Sequence, residues 1–501
     1  MTKSFALRMA SLGAALLCGS AANADVTAQQ VWDNWKTQSD AYGEGVSVGA
    51  ETMSGDTLTI ESLTLDISED DMNVEAEMGP LTFTELGDGT VSVGMPESYP
   101  LTLELEGNPV QLTISNAGLD IIASGTPEAL AYDLGAERYA ITLDSLGPEF
   151  EEEGILNAGM ITMNDVQGDY TVITGDDLTE MDYTLDVGSV EIDVDLGERG
   201  GSGVILVAAE MADLGLNAEI AMPEAMDTDS PEAMFTEGFA FEGGYAIGPS
   251  SYAFEIDEEG EAMSGTAATD STELTVAVDY DGMAYRSQTK GVEIDFSVPQ
   301  EVPFPVEAAL STFGFTFDVP MSQTEEPRDF ELGMELRDLT IGDGLWNIFD
   351  PGEALPRDPA TLAINLSGEA TPLFDFMDPQ QAQQAAMSDM PAELHAAALN
   401  ELVLRLGGAE ITGDGAFTFD NTDLQTIPGV PRPEGQADFR LVGVNGLIEK
   451  LVQMGLIPQE QAMAPRMMLG MFAQPVGEDE LTSTIEINEQ GHILANGQRI
   501  Q

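Results

Sequence analysis

Residues 190–196 read VEIDVDL, with Val190, Ile192, Val194 and Leu196 at alternate positions and Glu191, Asp193 and Asp195 between them. Successive side chains of a strand point to opposite faces, so this stretch puts one face on a core and the other in water. The same period of two recurs in LTLELEG (Leu101–Gly107), YAITL (Tyr139–Leu143), LTVAVDY (Leu274–Tyr280) and VEIDF (Val292–Phe296). It returns in FGFTFDV (Phe313–Val319), LAINL (Leu362–Leu366), FTFDN (Phe417–Asn421) and STIEI (Ser483–Ile487). Clean alternation belongs to antiparallel sheet; parallel strands, covered on both faces, read as unbroken apolar runs. Turn signals such as GDG, EGN, SGD and GERGG separate the runs. About twenty strands exceed the ~10 that one open sheet holds without curling or splitting. The expected fold is therefore mainly β, with large curled antiparallel sheet forming a trough, or else two β modules.

Helical patterns are few. TAQQVWDNWK (Thr27–Lys36) opens on a Thr N-cap and sets Val31 and Trp35 one turn apart. DPQQAQQAAMSDMPAELHAAALNEL (Asp378–Leu402) is rich in Ala and Gln, and Pro391 is expected to split it into two helices. In residues 445–472, Leu447, Ile448, Leu451 and Val452 make one helical face, and a second helix after Pro458 is expected to be kinked or restarted at Pro465. A composition shift near residues 225–234 (AMDTDSPEAM) marks a soft boundary between modules at 25–230 and 231–501. The N-terminal module has a leading helix, and the C-terminal one has helices near 378–402 and 445–472.

The first 24 residues carry Lys3 and Arg8, a short apolar run from Met9 to Leu17, and Ala22-Asn23-Ala24. That is the form of a cleaved signal peptide, with Asp25 as the first mature residue and the periplasm as destination. Lipidation at Cys18 is the rival reading, weakened by Leu17 where such a site wants a small residue. Cleavage removes the single cysteine, leaving no disulfide and no thiol. No later segment has eighteen consecutive apolar residues, so no transmembrane segment is expected.

The mature chain keeps 14 basic residues against all 90 acids, a formal charge of −76. Phosphate binding needs clustered Lys and Arg, so nucleic acid is excluded as a partner. Self-repulsion of this size predicts a soluble monomer that is more stable in salt. The clusters SEDD (Ser68–Asp71), DEEGE (Asp257–Glu261) and TGDD (Thr174–Asp177) lack the alternating form of a calcium loop and read as solvated turns.

Against this background NGLIEKLVQMGLIPQEQAMAPRMMLGMF (Asn445–Phe472) stands out, with two acids, two bases and five methionines. The first expectation is core packing, with the two helices plugging the end of the sheet and methionine filling irregular gaps. The second is an apolar ligand site, a lipid or similar molecule, lined by Leu447, Leu451, Met454, Met463, Met467, Met468, Met471 and Phe472. A membrane-surface helix is the third, disfavoured because only Lys450 and Arg466 could meet headgroups.

Five stretches carry a resemblance to a known family: VWDNW (Val31–Trp35), GLWNIFDPGEALPRDPATL (Gly344–Leu362), GLIEKLVQMGLIP (Gly446–Pro458), RMMLGMFA (Arg466–Ala473) and INEQGHILANGQRI (Ile487–Ile500). Together they resemble a family of exported bacterial proteins, domain of unknown function 2125, over essentially the mature chain. That resemblance implies no catalytic or binding residues. More loosely, the strand-rich layout is similar to periplasmic β-groove proteins that carry lipids between membranes, a likeness of fold alone.

Signatures of catalysis are absent from the sequence. The two histidines, His395 in the Ala-rich segment and His492 after Gly491, are far apart, and no G-x-S-x-G, HExxH or phosphate-loop motif occurs. No cofactor, metal or catalytic residue is expected. Arg357, in the rigid loop DPGEALPRDPATL, reads as a loop-pinning residue rather than an anion site. The functional expectation is a non-enzymatic periplasmic protein holding an apolar or lipid ligand in a β trough for envelope maintenance. A scaffold that binds partners and no ligand is the alternative; an acidic hydrolase using paired carboxylates ranks last.

Overall fold

The computed structural model describes residues 25–40, 46–69, 72–105, 108–148, 155–175, 177–198, 204–223, 231–258, 261–388, 390–427 and 429–500. The expected leader, most of the 225–234 boundary and parts of the three acidic clusters lie outside the described residues.

The protein is mainly β: among the described residues 29 strands pair antiparallel in one sheet, with a helix near the N-terminus and a helical pair near the C-terminus. Helix α1 (Ala28–Asp40) begins as the sequence suggests. Thr27 Oγ1 accepts from the Gln30 amide at 3.3 Å, and Gln30 Oε1 accepts from the Thr27 amide at 2.9 Å, a reciprocal capping box. Its apolar side buries Val31 and Trp32 against Leu58, Ile60, Leu81, Phe83, Val91 and Leu130, the densest core of the molecule. The helix covers the sheet only at this end.

Beyond it the sheet continues through long strands β1 (Ala129–Ser145), β2 (Ile155–Thr174), β3 (Leu178–Glu198) and β4 (Val204–Pro223). Two half-width strands then pair with β4 end to end. One is β5 (Ala240–Ile247), on residues 215–221; the other is β6 (Ser250–Glu258), on residues 204–211. Strands β7 (Glu261–Thr269) and β8 (Ser271–Val278) extend each half, and β9 (Gly282–Ser297) rejoins them. The hydrogen-bonded ladder thus carries across the expected boundary near 225–234. From β9 the order follows the chain: β10 (Val306–Pro320), β11 (Arg328–Ile341), β12 (Ala360–Pro372), β13 (Ala392–Leu406), β14 (Ala409–Asp420) and β15 (Arg432–Val442), then β16 (Glu480–Ile487).

One local expectation is corrected. Within residues 378–402 only Pro379–Ala386 is helical; after Pro391 the chain forms β13, not a second helix. Helix propensities differ by at most ~0.7 kcal/mol per ordinary residue. Leaving β12 and β14 without a strand between them would strand a row of backbone groups on each, a larger cost. Tertiary pairing therefore wins, with register shifts at Asn365/Leu366 and Glu369/Ala370 absorbing the irregular Ala-rich stretch. Of the two expectations for the helix after Pro458, a restart is not seen: one helix runs from Gln459 to Phe472 with Pro465 inside it. Pro465 removes one bond, to the carbonyl of Gln461, and Gln461 is solvent-exposed.

Candidate functional site

The two faces of the sheet differ in chemistry. On one, direct Cα partners connect Phe313, Leu336, Leu362, Leu404, Ile411, Leu441 and Leu481 across seven strands. A second rung runs Phe315, Met334, Ile364, Leu402, Gly413, Phe439, and a third Phe317, Leu332, Leu366, Leu399. Six gaps of ~4.8 Å between strands and two of ~6.8 Å along them give a field of about 29 by 14 Å. Phe313, Phe315, Leu332, Met334, Leu362 and Leu404 each remain 36% to 45% exposed. Large apolar side chains half-open to water over a field this size set this face apart from the other. Aromatic packing tightens the rung ends, with Tyr285 and Phe315 rings 6.0 Å apart.

The opposite face is wet and paired. Arg337 donates to Glu401 Oε2 at 2.6 Å and from Nε to Glu335 Oε2 at 2.6 Å. Arg405 donates to Glu410 at 2.9 Å, Arg440 to Glu480 at 3.0 Å, and Asn365 to Glu331 at 2.9 Å. Burial works to raise the Glu335 carboxyl, but bonds from Arg337 and Gln288 outweigh it and hold the group below the usual carboxylate range. A depression of about 710 Å³ is lined mainly on this face, by Glu210, Glu293, Asp295 and Glu307 with Ala208 and Ala253. The apolar face is thus an open field rather than a pocket.

The predicted site residues lie at one rim of the sheet. Strands β11, β13 and β15 end there and β14 and β16 begin there. Helix α2 (Pro231–Thr236) is remote from it; α3 (Asp343–Phe349) follows β11, and α4 (Pro379–Ala386) precedes β13 at the other rim. Helices α5 (Val444–Gln453) and α6 (Gln459–Phe472) form a hairpin between β15 and β16. Gly443, at φ 71°, turns the chain out of β15 but offers no side-chain cap. Asp479 supplies one: its Oδ2 accepts from the Gly446 amide at 2.8 Å and its Oδ1 from the Asn445 amide at 3.1 Å. Desolvation pushes this carboxyl up, yet the amide bonds win and hold it low. At the far end Ser483 Oγ and Asn496 Nδ2 both donate to the Phe472 carbonyl, at 2.7 and 2.9 Å.

Leu447, Leu451, Met454 and Phe472 are half-buried in this hairpin, and a methyl on Gly407 would come within 3.0 Å of Leu447 Cδ1. Met463, Met467, Met468 and Met471 are 58% to 67% exposed. Core packing, the first expectation for this segment, is thereby overturned for α6: among its residues only Ala462 is buried. The cause is geometric. Ala462 and Leu469 fall on the inward side of the helix, and Met463, Met467 and Met471, at spacings of four, fall on the outward side with Met468.

Sequence reasoning missed the half-open field of Phe315 and Met334. The alternation located the strands, but whether a second layer covers them leaves no periodic mark. It also missed α3, where Ile348 and Phe349 are exposed and Trp346 is buried. Arg357 pins its loop to α3, bonding Asp343 and, at 3.0 Å, Asn347. Asp350, 1% exposed, accepts from the amides of Leu355 and Ala354 at 2.8 and 2.9 Å, and these bonds hold its carboxyl low. His395 lies in β13, not in a helix, between Thr371 Oγ1 at 2.8 Å and Asn421 Nδ2 at 3.5 Å. Among the described residues no group of three or more His, Asp and Glu side chains is placed to hold a metal ion.

The fold and its faces define a class: a large antiparallel sheet protein with one ion-paired face and one apolar face open to water over much of its length. Residues 316–492 match the family described as "Uncharacterized protein conserved in bacteria (DUF2125)". That span runs from within β10 past β16 and takes in the rim hairpin and the rung residues from Phe317 onward, but not Phe313 and Phe315. It contains Gly344–Leu362, Gly446–Pro458 and Arg466–Ala473 whole and the start of Ile487–Ile500, but not Val31–Trp35. No curated protein matches the chain. Among the described residues no helix is long and apolar enough to cross a membrane.

Proposed function

We propose that the protein acts without catalysis in the periplasm of a bacterial envelope, where its apolar sheet face holds the hydrocarbon part of a lipid-like ligand. The supporting observation is the three-rung field of Phe313, Phe315, Phe317, Leu332, Met334 and their partners, half-open to water while the opposite face carries the ion pairs. An acyl chain spans about 15 Å, half of a ~30 Å hydrocarbon core, so the field is long enough to cover one along its full extent. Burying apolar surface at roughly 25 cal/mol per Å² supplies the affinity without a specific polar contact.

The scaffold alternative needs an open sheet edge, and the edges are poor templates. The first strands, Val46–Val48 and Glu51–Ser54, have three and four residues, and the last, Gln498–Arg499, has two. Short edge strands discourage edge-to-edge pairing.

Titration with the neutral apolar dye N-phenyl-1-naphthylamine tests the reading. Wild type is expected to enhance its fluorescence saturably, and palmitate to displace it. Phe315→Asp with Met334→Asp, both half-exposed, is expected to abolish uptake while retaining the β-sheet circular dichroism. Equal uptake by the variant would refute the assignment.

A further inference from the structure

We infer that the rim bearing α3, α5 and α6 docks on the surface of a phospholipid bilayer with no net charge. The inference goes beyond ligand binding and rests on different residues. Met463, Met467 and Met471 repeat every four residues along α6, with Met468 beside them, and all four side chains point to water. Ile348 on α3 and Leu456 in the hairpin turn, on the same rim, are also exposed. The helix is about 21 Å long at 1.5 Å per residue, the scale of an element lying in an interface rather than crossing one.

Charge selects the occupant. The whole chain is formally −74, yet residues 445–472 carry two acids and two bases. Arg337, Arg405, Arg432 and Arg440, by contrast, are drawn into carboxylate pairs. Among the described residues Lys450 and Arg466 have no carboxylate within 4 Å. Arg466 lies one turn from Met463, so its stem can follow the apolar face while its guanidinium reaches a phosphate oxygen. A second copy of this polyanion is repelled, and an anionic membrane is repelled by the remainder of the molecule. A zwitterionic surface presents phosphate to the two cations without that penalty, and flexible thioethers adapt to disordered acyl chains.

The test is flotation of the full chain, lacking its leader, with phosphatidylcholine vesicles at high salt. Wild type is expected to float with the vesicles. Met463→Glu, Met467→Glu and Met471→Glu combined are expected to lower partitioning at least about tenfold, since each 1.4 kcal/mol is a factor of ten. Lys450→Gln with Arg466→Gln is expected to weaken it less. Because α6 is exposed, the triple variant is expected to keep its fold and its dye uptake; dye uptake retained with flotation lost separates docking from ligand binding. Wild type remaining below the vesicles would overturn the inference. So would equal flotation of the triple variant, or self-association through this rim without flotation.

Discussion

Asp479 shows how one side chain sets the geometry of the rim. Its carboxylate occupies the place of an N-cap on a helix whose own Gly443 supplies none. Replacing it with Ala is expected to cost about 1 kcal/mol of local stability and to speed amide exchange in residues 444–454, read by mass spectrometry. The pH dependence follows from sign. The folded carboxyl sits below its ordinary 3.8, so the cap is fully present above that value and is lost as pH falls through the folded one. Glu219 behaves oppositely. Burial, then Asp182 and Glu242 on the flanking strands, push it up, and both acids are its direct cross-strand partners. Its contribution grows as pH falls through the raised value. Glu219→Gln is expected to raise stability by ~0.5 kcal/mol at neutral pH in dilute buffer, with the gain shrinking in salt. A loss of stability in urea melts would contradict this account of the acidic ladder.

Elements differ in how far the sequence exposes them. Strand β3 was legible because Glu191, Asp193 and Asp195 alternate with Val190, Ile192, Val194 and Leu196 and label the wet face. Strand β13 was not: AELHAAAL carries few such labels, and its conformation is imposed by β12 and β14. Helix α1 was legible from Thr27 and the Val31–Trp35 spacing, although Trp32, 1% exposed, proves the deeper anchor. Its indole Nε1 donates to Glu51 at 3.0 Å and its ring lies 5.6 Å from that of Phe83. Trp32→Ala is expected to cost about 3–5 kcal/mol and to release α1, seen as a lower urea midpoint and loss of protection in residues 28–40. For α6 the sequence disclosed neutrality and softness. It could not disclose exposure, because an all-round apolar helix reads alike whether it fills a core or faces outward.

At the scale of the molecule, a single sheet has taken the place of a conventional two-layer core. A helix covers it at one end only, and the ion pairs gather on one face while the other stays apolar and half-open to water. Carboxylates spread over the polar face repel one another, and that repulsion is screened beyond about 8 Å at physiological ionic strength. The urea midpoint is therefore expected to rise between low and molar NaCl. The open apolar face is predicted to be an occupied surface in the cell. Solvent extraction and mass spectrometry of protein purified from its native host address it directly. An apolar molecule is predicted to co-purify with wild type and to be missing from Phe315→Asp with Met334→Asp. An extract of wild type free of any such molecule, together with no uptake of N-phenyl-1-naphthylamine, would contradict it.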